Sequence, residues 1–434
     1  MEIKVSLVVT CYNKFHTVSN MLTSILNQKW NRIEVVLVDD GSTDGTSDVL
    51  TSWKPKLEKR GYEVIIIRQE NAGVSSAAKT GMENISGEFM CLIDCDDELD
   101  PLYVSTMADW LAKNSEYDFC MCTHKRKLSV NGQVMLSDII TYAKDGKIES
   151  YDSQQRTFYY ILHEINPVVW VHMVRTAYLH RCNIPKLFHT EIRTTQESNF
   201  VTPLMAGTGK VKYFPDPLYI HDYTGEGAAY RRNYTSEKWD YIALKEKNWY
   251  ELLKITVQAL NIDLEFKKKA LFLADFRHFY IMYYNAYNLN PSAGFYYIKS
   301  AILLINQYYS TSLDANIYKD NFFFIKDIVM SIIFNLPAPS IPKFSGKVIA
   351  YGVLGQRGKR FLHLLNNTSY VPAQLWDMNG DNVVVQKPDF SLLKREDLLI
   401  IFPNDLKLDV ICHQISFTDL YLNILNQAIF STKI

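Results

Sequence analysis

The chain has 434 residues, which is long enough for two or three domains with well-buried cores. Its 46 lysines and arginines nearly balance 47 aspartates and glutamates, and the net charge of -1 argues against a dedicated nucleic-acid binder. The seven cysteines show no disulfide or zinc-ligand spacing, and no stretch has the apolar length of a signal peptide or membrane span. These features predict a cytoplasmic protein without structural disulfides.

The first 120 residues alternate between apolar strands and amphipathic helices. β-Branched, apolar runs predict four strands, at 4–10, 33–39, 62–68 and 88–94. Helical spacing predicts helices at 15–28 and 74–84, and a Ser/Thr/Asp cluster after residue 40 predicts another helix start. Because near-continuous apolar strands that alternate with helices are typical of a parallel sheet covered on both faces, the predicted fold class is α/β.

Polar side chains follow each predicted strand at its carboxyl end. They are Thr10, Tyr12 and Asn13, then Asp39 and Asp40, then Arg68 and Asn71, and finally Asp94, Asp96 and Asp97. Since parallel sheets bind ligands beyond the carboxyl ends of their strands, these residues predict a binding site on one rim. Helix capping is an alternative role for Asp44, but one cap needs one carboxylate, so capping does not account for Asp96 and Asp97 together.

The segment DCDDELD, at 94–100, combines five acidic residues with no lysine or arginine. Like charges that are packed together repel one another unless a cation or a proton is shared between them. The segment therefore predicts a cation site at the end of the fourth strand.

The pattern changes after residue 120. LSVNGQVML predicts a hairpin with an Asn-Gly turn, 152–165 predicts a capped helix, and a Tyr-rich, helical region covers 236–335. The proline-rich segment NLPAPSIPKFSGK predicts a linker to a small Rossmann-like α/β domain. The predicted domains are therefore 1–235, 236–335 and 345–434.

Four motifs carry a resemblance to a known family. VSLVVTCYN, VVLVDDGSTDGT, ENAGVSSAAKTG and GEFMCLIDCDDELDP stand in this order, and they resemble the family 2 inverting glycosyltransferases with a GT-A fold over about residues 4–230. The resemblance implies a nucleotide-sugar donor, a separate acceptor alcohol and a divalent ion, Mn²⁺ or Mg²⁺.

The resemblance also implies roles for single residues in donor binding. Thr10 and Tyr12 would line the base and ribose pocket, and Asp40 would accept a hydrogen bond from the base edge. The predicted donor-binding set is completed by Asn71, Lys79, Asp94 and Asp96. Lys79 departs from the arginine-asparagine pair of many relatives, and a solvated helix position is its alternative interpretation.

The implied metal ligands and catalytic base lie further along the chain. Asp97 would bind the ion directly beside Asp96, and His221 stands where some members supply another ligand, with Asp222 as a competing candidate. The family places a Glu-Asp pair before an apolar helix, and here Gln196 and Glu197 occupy that pair. Glu197 is therefore the predicted base, and a first-turn helix acid is the alternative. A glycine-flanked loop around Glu226, with Arg231 or Arg232, would close on the donor.

The C-terminal segment YGVLGQRGKRFL places a glycine turn after a strand, and Asp377 closes the next strand. The glycine spacing differs from the dinucleotide-binding fingerprint G-x-G-x-x-G. A structural or partner-docking role is therefore favoured over a dinucleotide site.

These observations predict transfer of a sugar from a UDP-sugar to a growing bacterial surface glycan, such as capsule, O-antigen or lipooligosaccharide. One alternative is a nucleotidyltransferase, although TCYNKFHT lacks the glycine-rich phosphate loop such enzymes need after strand one. The other is a non-catalytic sugar- or partner-binding scaffold. The Tyr-rich helices predict either an ordinary core or a platform for a lipid-linked acceptor, a dimer partner or the inner face of the cytoplasmic membrane.

Overall fold

The structure is a computed structural model. It describes residues 3–130, 133–140, 145–191, 196–224, 236–287 and 291–309, and shorter stretches between 313 and 420. The chain divides into two compact units, Met1–Asn285 and Ala286–Ile434. The predicted helical region 236–335 is thus shared between the two units, and most of the predicted linker lies outside the described residues.

The first unit is built on one sheet, which has nine strands among the described residues, in the order β3-β2-β1-β4-β8-β6-β9-β5 with β7 beside β6. The strands are β1 (Val5–Cys11), β2 (Ile33–Asp39), β3 (Glu63–Arg68), β4 (Phe89–Asp94), β5 (Glu98–Leu99), β6 (Phe119–Val130), β7 (Gln133–Leu136), β8 (His172–Arg175) and β9 (Val211–Asp222). The sheet places the carboxyl ends of β1, β2 and β4 side by side.

Strands β1 to β4 form the parallel half of the sheet, and they confirm the four predicted strands. β1 pairs in parallel with both β2 and β4, and β2 pairs in parallel with β3. Every residue of β1 and β2 is buried, as expected for central strands covered on both faces. Because the register sets Thr10 opposite Asp94, and Cys11 opposite Asp39, the polar residues that follow these strands meet at one edge.

The other half of the sheet is mixed. β8 is antiparallel to β4 and β6, β6 is parallel to β9, and β5 is antiparallel to β9. The predicted hairpin is present, because β7 pairs antiparallel with β6. Val134, Met135 and Leu136 of β7 are exposed.

The helices of the first unit connect and flank these strands. They are α1 (Val18–Leu26), α2 (Thr46–Lys59), α3 (Val74–Glu83), α4 (Tyr103–Lys113), α5 (Ser153–Ile161), α6 (Thr176–Arg181), α7 (Ile184–Leu187), α8 (Glu197–Ala206), α9 (Ser236–Ala259) and α10 (Leu264–Tyr287), with a 3-10 helix at Asp145–Ser150. The predicted cap of α5 is present as a capping box between Asp152 and Gln155. Among the described helices, none is long and apolar enough to cross a membrane.

The aromatic residues of α10 pack largely inward. Phe276, Met282 and Tyr283 are buried, and the Arg277 guanidinium donates to Glu246 of α9 at 2.6 Å and lies over the Trp249 ring. This part of the Tyr-rich segment therefore has the character of a helical core, and its platform role stays a prediction.

The second unit contains α11 (Pro291–Tyr309) and a separate sheet that is parallel throughout its described strands, in the order β12-β11-β10-β13-β14. Its strands are β10 (Val348–Tyr351), β11 (Gln374–Trp376), β12 (Val385–Gln386), β13 (Leu398–Ile401) and β14 (His413–Ser416), with a 3-10 helix at Phe390–Leu392. The predicted α/β character of the C-terminal segment is confirmed.

Candidate active site

An open cavity of about 550 Å³ lies beyond the carboxyl ends of β1, β2 and β4. It is lined by Thr10, Cys11, Tyr12, Lys14, Asp40, Asn71, Gly73, Val74, Ala77, Asp94, Cys95 and Asp96. Its volume is in the range of small-molecule sites, and its wall combines apolar surface with a few charged groups. The cavity is therefore where the sheet topology predicts a ligand.

Six of the seven predicted donor-binding residues line this cavity: Thr10, Tyr12, Asn71, Asp40, Asp94 and Asp96. The seventh, Lys79, lies on α3 and does not line it. Tyr12 is 46% exposed, so its ring is available to a planar ligand. The donor-binding role of each residue stays a prediction, while their convergence on one cavity is observed.

Asp40 is held by the loop between β3 and α3. Its Oδ1 accepts from the N–H of Ala72 at 2.9 Å and from Gln69 Nε2 at 2.8 Å, and its Oδ2 accepts from the N–H of Gly73 at 2.8 Å. Each carboxylate oxygen has two acceptor sites, so Oδ2 can accept one more hydrogen bond. Gly41 permits this arrangement, because its φ is +74° and a Cβ there would lie 2.8 Å from the Asn71 nitrogen.

The loop that follows β1 is fastened to the loop that follows β2. Asn13 N–H donates to Ser42 Oγ at 3.0 Å, Lys14 N–H donates to Thr46 Oγ1 at 2.8 Å, and Phe15 N–H donates to Asp44 Oδ2 at 2.9 Å. Asp44 also accepts from the N–H of Thr46, the first residue of α2, so it serves the helix start as well as the loop. These bonds place the Lys14 side chain in the cavity.

Lys14 forms an ion pair with Asp96, with 2.7 Å between Nζ and Oδ2. Both side chains are 30% exposed. Burial lowers the pKa of Lys14, but the charge and the hydrogen bond of Asp96, together with the charge of Asp94, outweigh burial and raise that pKa above its usual value. The acidic segment thus acquires a cationic partner from elsewhere in the chain.

The carboxyl groups that follow β4 crowd one another. Burial raises the pKa of Asp94 to about 7, and the charges of Asp96 and Glu197 add to that rise. Burial also raises the pKa of Asp97, again with contributions from Asp96 and Asp94. The site therefore gains stability when a cation or a proton offsets the negative charge.

Asp97 points away from the cavity and into the protein. It is 1% exposed, its Oδ2 accepts from the Tyr219 hydroxyl at 2.7 Å, and its Oδ1 accepts from the N–H of Asp222 at 2.8 Å. The Tyr219 ring stacks on Trp170 with 4.1 Å between ring centroids, and the edge of the same indole meets His221 at 5.1 Å. Asp97 and His221 thus share neighbours, and their roles as metal ligands stay predictions.

Asp94 and Asp96, two of the three acids that line the cavity, fit a divalent ion. Among the residues that the structure describes, no three His, Cys, Asp or Glu side chains are grouped so that they could hold a metal. Mg²⁺ commonly binds through one or two carboxylates together with substrate phosphates. Two crowded carboxylates beside an open cavity match the protein ligands of such a site, and a diphosphate would supply the phosphate oxygens.

Helix α8 begins directly against the acid cluster. Gln196, 5% exposed, donates from Nε2 to Asp94 Oδ1 at 3.3 Å, and Glu197 is the first residue of the helix. An amide at position 196 can donate to Asp94, whereas a glutamate there would add a further negative charge. The departure of Gln196 from the family's acid thus has a local explanation.

Glu197 is half-buried, and its buried Oε2 has no hydrogen-bond partner among the residues that the structure describes. Burial raises the pKa of its carboxyl group. The Tyr160 hydroxyl donates to the Glu197 backbone oxygen at 3.2 Å, which helps to fix the first turn of α8. A carboxylate with an unused oxygen and a raised pKa has the properties of a general base, so the base role is a prediction that the local chemistry suits.

Two contacts of this site could not be predicted from the sequence. The pairing of Lys14 with Asp96 joins residues 82 positions apart, and the bond from Gln196 to Asp94 joins residues 102 positions apart. The only local signal for Lys14 is its place just after the first strand, beside Tyr12 and Asn13. The predicted loop around Glu226, with Arg231 and Arg232, lies outside the described residues.

Comparisons with known proteins agree with this geometry. Residues 6–172 match the family model described as Glycosyl transferase family 2. This segment is a glycosyl transferase family 2 domain. The GT-A class of α/β fold that the motifs predicted is therefore confirmed. The matched residues contain β2 to β4, all of β1 except Val5, and every residue that lines the cavity.

Two curated relatives and one solved structure show how far the similarity extends. EpsH of Bacillus subtilis is 33% identical over 147 residues, which are 34% of this chain and 41% of EpsH. The poly(ribitol-phosphate) beta-N-acetylglucosaminyltransferase TarS of Staphylococcus aureus is 25% identical over 291 residues, which are 66% of this chain and 46% of TarS. The crystal structure of TarS 1–349 with UDP-GlcNAc covers 76% of this chain and 87% of that one, at 17% identity and a TM-score of 0.49. The chain spans less than half the length of both curated relatives.

Proposed function

We propose that the protein is an inverting glycosyltransferase that moves a sugar from a UDP-sugar to an acceptor hydroxyl, with Mn²⁺ or Mg²⁺ at the diphosphate. The observation that carries the proposal is the cavity beyond β1, β2 and β4, where Tyr12, Asp40, Asp94 and Asp96 converge. The family 2 domain spans this cavity, and the TarS relative acts as an N-acetylglucosaminyltransferase.

In the proposed donor complex, the base stacks near Tyr12 and donates to Asp40 Oδ2, which has an acceptor site left beyond its bond to Gly73. Asp94 and Asp96 would hold the divalent ion with the diphosphate. Asp97, the direct ligand that the resemblance implies, is assigned a supporting role in this proposal, because its two carboxylate oxygens accept from Tyr219 and Asp222. When bound, the ion neutralises the negative charge that develops on the leaving diphosphate.

Glu197 is the proposed general base on the acceptor side. Direct displacement at the anomeric carbon requires the acceptor hydroxyl to lose its proton as the new bond forms. The unpartnered Oε2 of Glu197 can take that proton, and the raised pKa of the buried carboxyl makes it a stronger base than an exposed glutamate. The charge of Glu197 contributes to the raised pKa of Asp94, which supports a position of Glu197 close to the donor.

We further propose that the acceptor is a growing bacterial surface glycan and that transfer takes place at the inner face of the cytoplasmic membrane. The acceptor of TarS, a poly(ribitol-phosphate), is a polymer of this general kind. The domain division proposed from the sequence, with a catalytic part at 1–235 and an appended module at 345–434, remains part of this proposal.

The decisive experiment is turnover of a panel of UDP-sugars, followed as release of UDP with Mn²⁺ and with EDTA. We expect one sugar to be turned over, EDTA to abolish turnover, and Asp97→Asn to lower it at least ~100-fold because the acid cluster loses a charge that favours the ion. Asp109→Asn removes a comparable carboxylate that pairs with Lys113 on the surface of α4, so it serves as the matched control.

Full turnover in EDTA would contradict the metal-dependent mechanism. A protein that binds UDP and Mn²⁺ but turns over no UDP-sugar would support the non-catalytic scaffold instead. Release of diphosphate from a nucleoside triphosphate and a sugar phosphate would favour the nucleotidyltransferase.

A further inference from the structure

Lys14 is a charged residue in the cavity that the proposed mechanism leaves without a role. Its Nζ lies 2.7 Å from Asp96 Oδ2, and both side chains are partly open to the cavity. In a site whose other charged side chains are carboxylates, this ammonium group occupies the place next to Asp96 that a divalent ion would need. A cation supplied by the chain and a cation supplied by solution would therefore compete for the same carboxylate.

The position of Lys14 is built into the fold. Asn13 has a left-handed φ of 51°, its Oδ1 accepts from Thr43 N–H at 2.9 Å, and the N–H of Lys14 is bound to Thr46. Loops that follow two neighbouring strands therefore hold the backbone of Lys14 at the cavity wall. From this fixed point, four flexible methylene groups allow the ammonium to change partner.

The charges of the site explain why the pair forms. Asp94, Asp96 and Asp97 are crowded at the end of β4, and Asp94 has Gln196 as an uncharged donor, while Asp97 has Tyr219 and Asp222. Asp96 instead receives a full positive charge from Lys14. The ion pair thus neutralises one of the three carboxylates that line the cavity.

We propose that Lys14 is an exchangeable resident cation: it neutralises Asp96 in the empty cavity and binds the diphosphate of the donor once a divalent ion takes its place on Asp96. The inference rests on the proposed function and adds a diphosphate-binding residue to it. A diphosphate brings negative charge for the released ammonium to contact, so the metal and the nucleotide together bind better than either alone.

Two consequences distinguish this exchange from a purely structural ion pair. In the absence of a nucleotide, the metal must displace Lys14 from Asp96, so Lys14 weakens binding of the metal alone. In the absence of a metal, Lys14 is the one cationic side chain among the described residues that line the cavity, so it strengthens binding of UDP alone. One residue therefore has opposite effects on its two ligands.

The test is direct binding by calorimetry, in two titrations on the full chain: UDP in EDTA, and Mn²⁺ without nucleotide. Lys14→Met keeps the length of the side chain and removes its charge. We expect it to weaken UDP binding in EDTA at least about tenfold, and to strengthen Mn²⁺ binding about tenfold, as loss of one charge-assisted contact predicts. Lys54→Met is the matched control, because Lys54 pairs with Glu58 on the surface of α2.

The Asp96→Asn variant separates the two effects. With Asp96 neutral, Lys14→Met should no longer strengthen Mn²⁺ binding, while it should still weaken UDP binding. If Lys14→Met leaves both affinities unchanged, or shifts both in the same direction, the exchange is wrong. If the wild type binds neither UDP nor Mn²⁺, the proposed function itself fails, so the two failures are distinguishable.

Discussion

The parallel half of the first sheet and the parallel sheet of the second unit each have an aspartate directly after one strand, Asp40 and Asp377. In the first unit, Asp40 follows β2 and accepts from the N–H groups of Ala72 and Gly73 at the wall of the large cavity. In the second unit, Asp377 follows β11, and its Oδ2 accepts from the N–H of Leu354 at 2.9 Å in the turn after β10. Both carboxylates thus support a neighbouring backbone segment.

The acid of the first unit lies close to other acids at the same edge of the sheet. Around Asp40 the fold brings Asp94 and Asp96, with crowding that raises the pKa of Asp94 to about 7. Asp377 is 7% exposed, and the ring of Trp376, its neighbour in the chain, contacts Phe390, which also contacts Tyr351. Crowded acids with a raised pKa support a ligand site more strongly than the position of an acid after a strand does by itself.

The largest effect is expected at Glu197. Glu197→Gln keeps the shape of the side chain but removes its basicity, so sugar transfer should fall by about 10² to 10⁴ while UDP and metal affinities stay as in the wild type. Single-turnover kinetics together with calorimetry would separate the two quantities. Glu191→Gln is the control, since the Glu191 side chain is 80% exposed. Normal transfer by Glu197→Gln, with loss in Glu191→Gln or Asp222→Asn, would place the base elsewhere.

An intermediate effect tests the comparison of the two sheets directly. Asp40→Asn places a donor where the proposed base contact needs an acceptor, so we expect UDP affinity to fall about tenfold to a hundredfold. Asp377→Asn should leave UDP affinity unchanged and lower the unfolding free energy of the second unit by about 1–3 kcal/mol, because it disturbs the bond to Leu354. The comparison is wrong if Asp377→Asn, rather than Asp40→Asn, weakens UDP binding in the same calorimetric assay.

Much of the parallel half of the fold is readable from the sequence. The run 33–39 is strand β2 residue for residue, because five of its seven buried positions are apolar and β-branched residues are frequent among them. The acids at 94–97 are equally visible, since their clustering is local.

The remainder depends on contacts that local patterns do not encode. The two-residue strand β5 exists because Glu98 and Leu99 pair with Ile220 and Tyr219, far along the chain. Asp97 faces inward because the Tyr219 hydroxyl, 122 positions away, donates to it. Neither the mixed half of the sheet nor the orientation of each acid could therefore be predicted from spacing alone.

The smallest effect concerns the acid stability of the first unit. His172 is fully buried, and burial lowers its pKa to about 4, although bonding to the Val169 carbonyl partly opposes this. The folded state disfavours the charged imidazole. The contribution of neutral His172 to the free energy of unfolding is therefore complete above pH 6.5 and is lost as the pH falls towards 4. Between pH 7 and pH 5, the unfolding free energy of His172→Gln should therefore fall by roughly 2 kcal/mol less than that of the wild type.

Urea unfolding of the wild type and His172→Gln at several pH values would measure this difference, with the exposed His180→Gln as the control. Since His172 lies in β8, the change should appear in the transition of the first unit. Parallel pH profiles for His172→Gln and the wild type would show that burial of this imidazole carries no such cost.

The stacking of Trp170 on Tyr219 connects the inner acid of the site to a fluorophore. The Tyr219 hydroxyl is bonded to Asp97, its ring lies 4.1 Å from the indole, and the same indole touches His221. A change of charge at Asp97 should therefore alter the fluorescence of Trp170, because the Tyr219 hydroxyl contacts Asp97 and the Tyr219 ring stacks on the indole. A paramagnetic ion bound near Asp97 would quench the Trp170 emission. The emission of Trp170, isolated by comparison with a Trp170→Phe variant, would therefore report whether a cation binds at the proposed site without label or substrate.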